Sequence, residues 1–251
     1  MSTVRKLDTG ADPAWQARVD LAAALRIAKR FGWQDAMGNH FSMVVPGQEN
    51  LILLNPYGYL WQEIRASMLT VIDTDGNHVE GEEVHPTARW IHACCHKAHS
   101  SAKVCLHTHA PYSTALTMIE DAELEFAHQG NMPLWGKIAW DRDYNGLGDT
   151  KEEGDRLARA LSGGQTVLFM AAHGAITVGE TVAGALYLMH KIETLCMRQL
   201  LAQSAGKPLV KVREDLCKQT ADRAPATGKG AVAFLEAYKR ILDREEPDYA
   251  T

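Results

Sequence analysis

The stretch Val104-Cys105-Leu106-His107-Thr108-His109-Ala110 anchors the reading of the whole chain: a short apolar run ends in two histidines one residue apart. Along a β-strand alternate side chains point the same way, so both imidazoles can reach one ion. Farther on, Thr166-Val167-Leu168-Phe169-Met170 is a second apolar run, followed by Ala171-Ala172-His173-Gly174. Strand ends lie at a sheet edge where substrate can approach, and glycine lets the backbone turn tightly. His107, His109 and His173 thereby form a candidate metal site, three imidazoles with one coordination position left open. Each half has an ordinary alternative: His-x-His also occurs as a structural pair, and a lone histidine before glycine as a satisfied loop residue.

Working outward, helices alternate with short strands. Asp12-Pro13 caps and opens a helix that Gly32 closes, with Trp15, Val19, Ala22, Leu25 and Ala28 at helical spacing. Strands are expected over Phe41–Val45 and Leu51–Leu54, split by Pro46-Gly47, and over Leu69–Asp73 before the turn Thr74-Asp75-Gly76-Asn77. Asn55-Pro56-Tyr57-Gly58 reads as a turn. Pro86 opens a helix over Thr87–His99, and Ala110 to Ile119 is helical again. The section holding Gly130, Pro133, Gly136, Gly146 and Gly148 reads as loops. Helices follow over Thr150–Leu161 and Thr181–Gln203, then a polar stretch, Ala205–Lys229, and a last helix, Ala231–Leu242. The pattern indicates a layered α/β or α+β fold. One domain is expected across 1–251, with 205–251 an appendage packed on it.

The 251 residues carry 26 basic and 31 acidic side chains, a formal charge of −5, which gives no electrostatic case for nucleic acid or an anionic membrane as partner. No apolar run approaches the roughly 18–20 residues of a membrane span. The start, MSTVRKLDTGADPAW, lacks the apolar core of a signal peptide, so a cytoplasmic protein is expected. Five cysteines without a Cys-x-x-Cys pair read as free thiols. Seven of the eleven histidines fall between residues 78 and 109, which concentrates the candidate chemistry there.

These motifs, in this order, resemble the class II aldolase/adducin family. The matching segments are Gly38-Asn39-His40-Phe41-Ser42, Asn55-Pro56-Tyr57-Gly58, Cys105-Leu106-His107-Thr108-His109-Ala110 and Ala172-His173-Gly174 with the helix after Thr181. The ending Ile241-Leu242-Asp243 to Pro247-Asp248-Tyr249 is similar to that of the adducin-head branch. The resemblance implies a three-layer α/β/α fold around a central, largely antiparallel sheet, and a homotetramer with sites at subunit interfaces. It implies that His107, His109 and His173 bind a divalent metal, zinc as a rule and manganese in some members. The metal would act on a small-molecule substrate as a Lewis acid, stabilising the enolate left after bond cleavage. Asn39 matches the first substrate loop, which His40 extends, and Gly58 the second.

The departures narrow the chemistry. Ala88 stands where the sugar-phosphate aldolases of the family carry an acid/base glutamate. Pro86 and Thr87 stand at two phosphate-binding serines and Tyr57 at a phosphate-binding threonine, so Thr87 is the one hydroxyl kept there. The expected function is therefore a metal-dependent lyase acting next to a carbonyl of a non-phosphorylated hydroxy or keto acid, by decarboxylation or aldol cleavage. Candidates to replace the missing carboxylate are Glu83, beside Glu82, and His85, both just before the helix opened by Pro86. His128 is a third, at the position of a tyrosine that the aldolases donate from a neighbouring subunit. Histidine titrates near neutrality, as such a role requires. His92, His96 and His99 share one helix face and read as structural. The competing functions are a non-enzymatic, adducin-head-like assembly module and a sugar-phosphate aldolase or epimerase.

Overall fold

The computed structural model describes residues 12–99, 101–224 and 226–251. The opening residues from which the missing signal-peptide core is read lie largely outside them. Among the described residues eight strands form one sheet: β1 (His40–Val45), β2 (Gln48–Leu54), β3 (Thr70–Asp73), β4 (His78–Glu80), β5 (Val104–Thr108), β6 (Ile138–Asp141), β7 (Val167–Met170) and β8 (Gly174–Gly179). Their order is β4-β3-β2-β1-β5-β8-β7-β6, and every neighbouring pair is antiparallel except β6–β7. The architecture is an α/β fold on a mixed, mostly antiparallel sheet.

Helices cover both faces because strand residues alternate between two cores. Phe41, Val104, Leu106 and Phe169 face a cluster built with α1 (Pro13–Arg30), α5 (Val182–Gln203) and α7 (Lys229–Glu245). Cys105, Leu168 and Ile176 face the opposite way, onto α2 (Pro86–Ala98) and α4 (Lys151–Ala160). Gly154 makes the α2–α4 contact possible, since a Cβ there would lie 2.6 Å from the Trp90 carbonyl oxygen. On the first face, α1 is anchored through buried Arg26, which donates to the Ile64 carbonyl and pairs with Glu246 and Asp248. Among the described residues no helix is long and apolar enough to cross a membrane.

Several elements correct the sequence reading. The section expected as loops contains β6 and a 3-10 turn over Gln129–Leu134. The polar stretch Ala205–Lys229 contains α6 (Glu214–Arg223), a surface helix that buries Cys217 alone and so carries almost no apolar signal. The helix expected from Ala110 to Ile119 is the shorter α3 (Pro111–Thr117). β8 lies where no element was expected; it forms a hairpin with β7 and a long ladder with β5.

Candidate metal centre

The β5–β8 and β7–β8 pairings bring the three sequence-selected histidines together. His107 ends β5, His109 lies two residues on, and His173 occupies the turn of the β7–β8 hairpin. That turn places Ala172 at φ 53°, in the left-handed region, while its amide donates to the Thr117 carbonyl. Gly174 follows because the strands meet closely here: a Cβ on it would lie 2.5 Å from the Thr108 carbonyl oxygen and 3.1 Å from the His109 ring. Ring centroids are 4.8–5.0 Å apart for all three pairs, and one ligand atom from each histidine lies within 4.8 Å of the others.

The nitrogens that face outward from this group are already engaged. His107 Nδ1 donates to the Ala175 carbonyl at 3.2 Å, and His109 Nδ1 donates to Asp35 Oδ2 at 3.0 Å. With the proton on Nδ1, each ring turns a bare Nε2 inward, and those two atoms lie 3.1 Å apart. Two nitrogens bound to one zinc at ~2.0–2.1 Å would be about 3.3 Å apart at the tetrahedral angle, so the donor set fits a small divalent ion. Burial holds His107 well below the usual imidazole range, with the neighbouring histidines adding to the shift. Burial, then His109, holds His173 to about 4. Both rings are thus neutral at physiological pH, as metal ligands must be. Asp141 and Glu153 oppose the His173 shift, and Arg156 clamps both of them, Asp141 through two 2.6 Å bonds and Glu153 at 2.7 Å.

The residues expected to meet substrate divide into groups. Asn39 is buried; its Oδ1 accepts from the Asp35 amide at 2.9 Å, while its Nδ2 finds no partner among the described residues. A buried amide left with unused donors is costly, and a ligand oxygen would satisfy it. His40 pairs in register with His107 across β1–β5, their rings 4.8 Å apart. Thr87 Oγ1 lies 2.7 Å from His85 Nδ1 and 3.2 Å from His40 Nε2, which joins His85 and Thr87 to the same cluster. Exposed Tyr57 meets His85 edge-on at 5.0 Å, next to Gly58, which takes φ +91°. Ala88 is a buried residue of α2, so the aldolase glutamate position offers no polar group.

The three acid/base candidates fare differently. Burial lowers His85 below its ordinary range, and the ring stands 6.4 Å from His40. Glu83 is exposed; its carbonyl accepts from the Tyr57 amide, and among the described residues its carboxylate makes no hydrogen bond or ion pair. His128 is exposed too, capping the Gln129–Leu134 turn by accepting from the Gly130 amide. It lines a separate cleft of about 450 Å³ with Arg198, Gln199 and Lys207, and no ring contact or hydrogen bond joins it to the three histidines. Sequence reasoning missed Asp35, whose carboxylate holds His109 while its amide holds Asn39; an acidic residue four positions before the Gly-Asn loop's asparagine was the available signal.

Comparisons with known proteins identify the family and the fold. The family model for the class II aldolase and adducin N-terminal domain matches residues 19–200. A Caulobacter vibrioides protein provisionally named a class 2 aldolase is 32% identical over 240 residues, 94% of this chain and 92% of that protein. Decarboxylase NovR of Streptomyces niveus is 29% identical over 247 residues, 97% of this chain and 90% of that protein. The crystal structure of an aldolase II superfamily protein from Pseudomonas syringae superposes with a TM-score of 0.87 at 32% identity, covering 95% of this chain and 96% of that one.

Proposed function

This chain belongs to the class II aldolase and adducin family, and from that premise we propose that it is a divalent-metal-dependent carbon–carbon lyase acting on a non-phosphorylated hydroxy or keto acid. The observation that carries this reading is the convergence of three imidazoles, together with an alanine, Ala88, at the position where the family's aldolases carry a carboxylate. His107, His109 and His173 would hold the ion, zinc or another divalent cation such as manganese. Bound there, it supplies Lewis acidity to a substrate carbonyl next to the breaking bond.

The chain's own residues do the rest. Asn39 Nδ2, buried and without a partner among the described residues, suits a substrate oxygen, and Tyr57 meets the His85 ring. Replacement of phosphate-binding hydroxyls by Tyr57 and Pro86 supports a substrate without a phosphate. Decarboxylation suits a site without the glutamate: the C–C bond breaks, its electron pair stays on the substrate carbon, and CO₂ leaves without any hydroxyl proton being removed. A proton must then reach that carbon. His85 is the candidate that the hydrogen bonds favour within one chain, through Thr87. His128 would serve only from a neighbouring subunit of a homotetramer, and Glu83 from the rim. The likeness to a named decarboxylase supports the same branch of the chemistry. Aldol cleavage is the second reading, since the same metal ligands serve it. An adducin-like assembly role is disfavoured by the retained histidines.

Elemental analysis of the purified chain tests the proposal first, with about one divalent ion per chain expected. Incubation of the loaded protein with a panel of hydroxy and keto acids should then release CO₂, or an aldehyde if cleavage is aldol-type. A chain that takes up no metal under any loading condition sinks the lyase reading.

A further inference from the structure

Behind the metal centre, on the face of β1 that α2 covers, three more imidazoles and a hydroxyl form one hydrogen-bonded line. The strand period puts His40 and Ser42 on that face, and helical spacing puts His92 and His96 above them. His40, Ser42 and His92 are buried, and His96 is half-buried. The line runs from His40 Nδ1 to His92 Nε2 at 2.7 Å, from His92 Nδ1 to Ser42 Oγ, from Ser42 Oγ to His96 Nε2 at 2.7 Å, and from His96 Nδ1 to the Ala102 carbonyl. Among the described residues no carboxylate bonds to any of these three rings, and burial holds His92 and His96 below the usual imidazole range.

The line has a fixed polarity because a carbonyl can only accept. His96 must carry its proton on Nδ1, so its Nε2 is bare and takes the single hydrogen of Ser42. Ser42 could instead donate to the Cys105 carbonyl at 3.3 Å, but its oxygen would then face a bare His96 Nε2 at 2.7 Å. With that hydrogen committed, Ser42 accepts from His92 Nδ1, and the bare His92 Nε2 accepts from His40 Nδ1. His40 Nε2 is left as a lone pair at the open end, beside the metal centre. Its neighbour there is Thr87 Oγ1 at 3.2 Å, whose one hydrogen is drawn to His85 Nδ1 at 2.7 Å, the nitrogen that also accepts from the Thr87 amide. That buried acceptor is thus met only by the long contact to Thr87, a hydroxyl whose one hydrogen it shares with His85.

We infer that His40 Nε2 accepts a hydrogen bond from a hydroxyl of the substrate, and that Ser42, His92 and His96 are positioning residues that lock His40 in the tautomer this requires. The choice of a hydroxy acid rests on the proposed function; the tautomer does not.

The test uses the full chain with ¹⁵N-labelled histidine. Long-range ¹H–¹⁵N correlation should find His40 protonated on Nδ1 and bare on Nε2, and Ser42→Ala should invert that assignment by freeing His92 to donate toward His40. On the zinc-loaded chain, 3-hydroxybutyrate should bind about tenfold more tightly than butyrate, the value of one satisfied buried acceptor. In Ser42→Ala that preference should fall to within about twofold while zinc stoichiometry stays the same. His40 protonated on Nε2 in the unaltered chain overturns the inference. So does equal or undetectable binding of the two acids, or a preference that survives an inverted tautomer. Failure to take up zinc would count against the lyase reading alone, since the tautomer is read without metal.

Discussion

Two sets of three histidines meet at this sheet, one at the ends of β5 and of the β7–β8 hairpin, the other between β1 and α2, and they differ in what their second nitrogens do. In the set at the strand ends, His107 and His109 spend Nδ1 on a carbonyl and a carboxylate and keep Nε2 free, facing His173. In the set under α2, His92 and His96 spend both nitrogens, and only His40 keeps a poorly served one. Composition and burial barely separate the two sets. What separates them is where the hydrogen bonds stop: nitrogens left over at a sheet edge can bind an ion, while rings used at both ends can only transmit orientation.

The largest effect should come from breaking the first set. A His107→Ala/His109→Ala variant is expected to lose its metal, by elemental analysis, and about 10³-fold in turnover, since Lewis-acid assistance is worth several kcal/mol and each ~1.4 kcal/mol is tenfold. Folding with an unchanged circular dichroism spectrum would confirm that the loss is chemical.

The second set should show itself in acid. Burial lowers His96 from 6.5 to about 4 in the folded chain. Between those values the unfolded chain binds the proton and the folded one does not, so stability is complete above about 6.5 and is lost as pH falls toward about 4. For His96 alone that is on the order of 3 kcal/mol, and His92 shifts the same way. Urea unfolding of metal-free protein across this range should show the slope, and a His96→Phe variant should flatten it.

Asp35→Ala probes how much the outer bond of His109 matters. Removing a carboxylate behind a metal-binding histidine typically costs about 10–100-fold in metal affinity, and competition with a chelator would measure it. The same change releases the amide contact to Asn39 little, because that bond comes from the Asp35 backbone. The smallest effect is expected at the hairpin. Ala172→Gly should raise stability by about 1 kcal/mol in thermal unfolding by relieving the left-handed alanine, while loosening the turn that carries His173.

The comparison also explains what could be read from the chain alone. The first set was legible because its chemistry is local: His-x-His on an apolar strand and His-Gly after another are short patterns with a geometric meaning. The helices with strong caps and apolar stripes, α1, α2 and α5, were legible for the same reason. β8 was not, because the turn before it uses Ala172 in a conformation alanine rarely adopts, with neither an Asn-Gly nor a Gly-x pair to announce it. α6 was hidden by its near-complete exposure. The second histidine set was invisible because it exists only through β1–β5 register and the seating of α2: His92 and His96 share a helix face, but nothing in their spacing says that Ser42 stands between them. Asp35 likewise acquires its role only when the loop before β1 is laid against the end of β5.

The hairpin that presents His173 has a kinetic consequence. It is held by the Thr117 carbonyl on one side and by the tight Gly174–Thr108 contact on the other. Ion capture should therefore run in a single phase set by how fast the cation sheds its water, with no lag for assembly of the pocket.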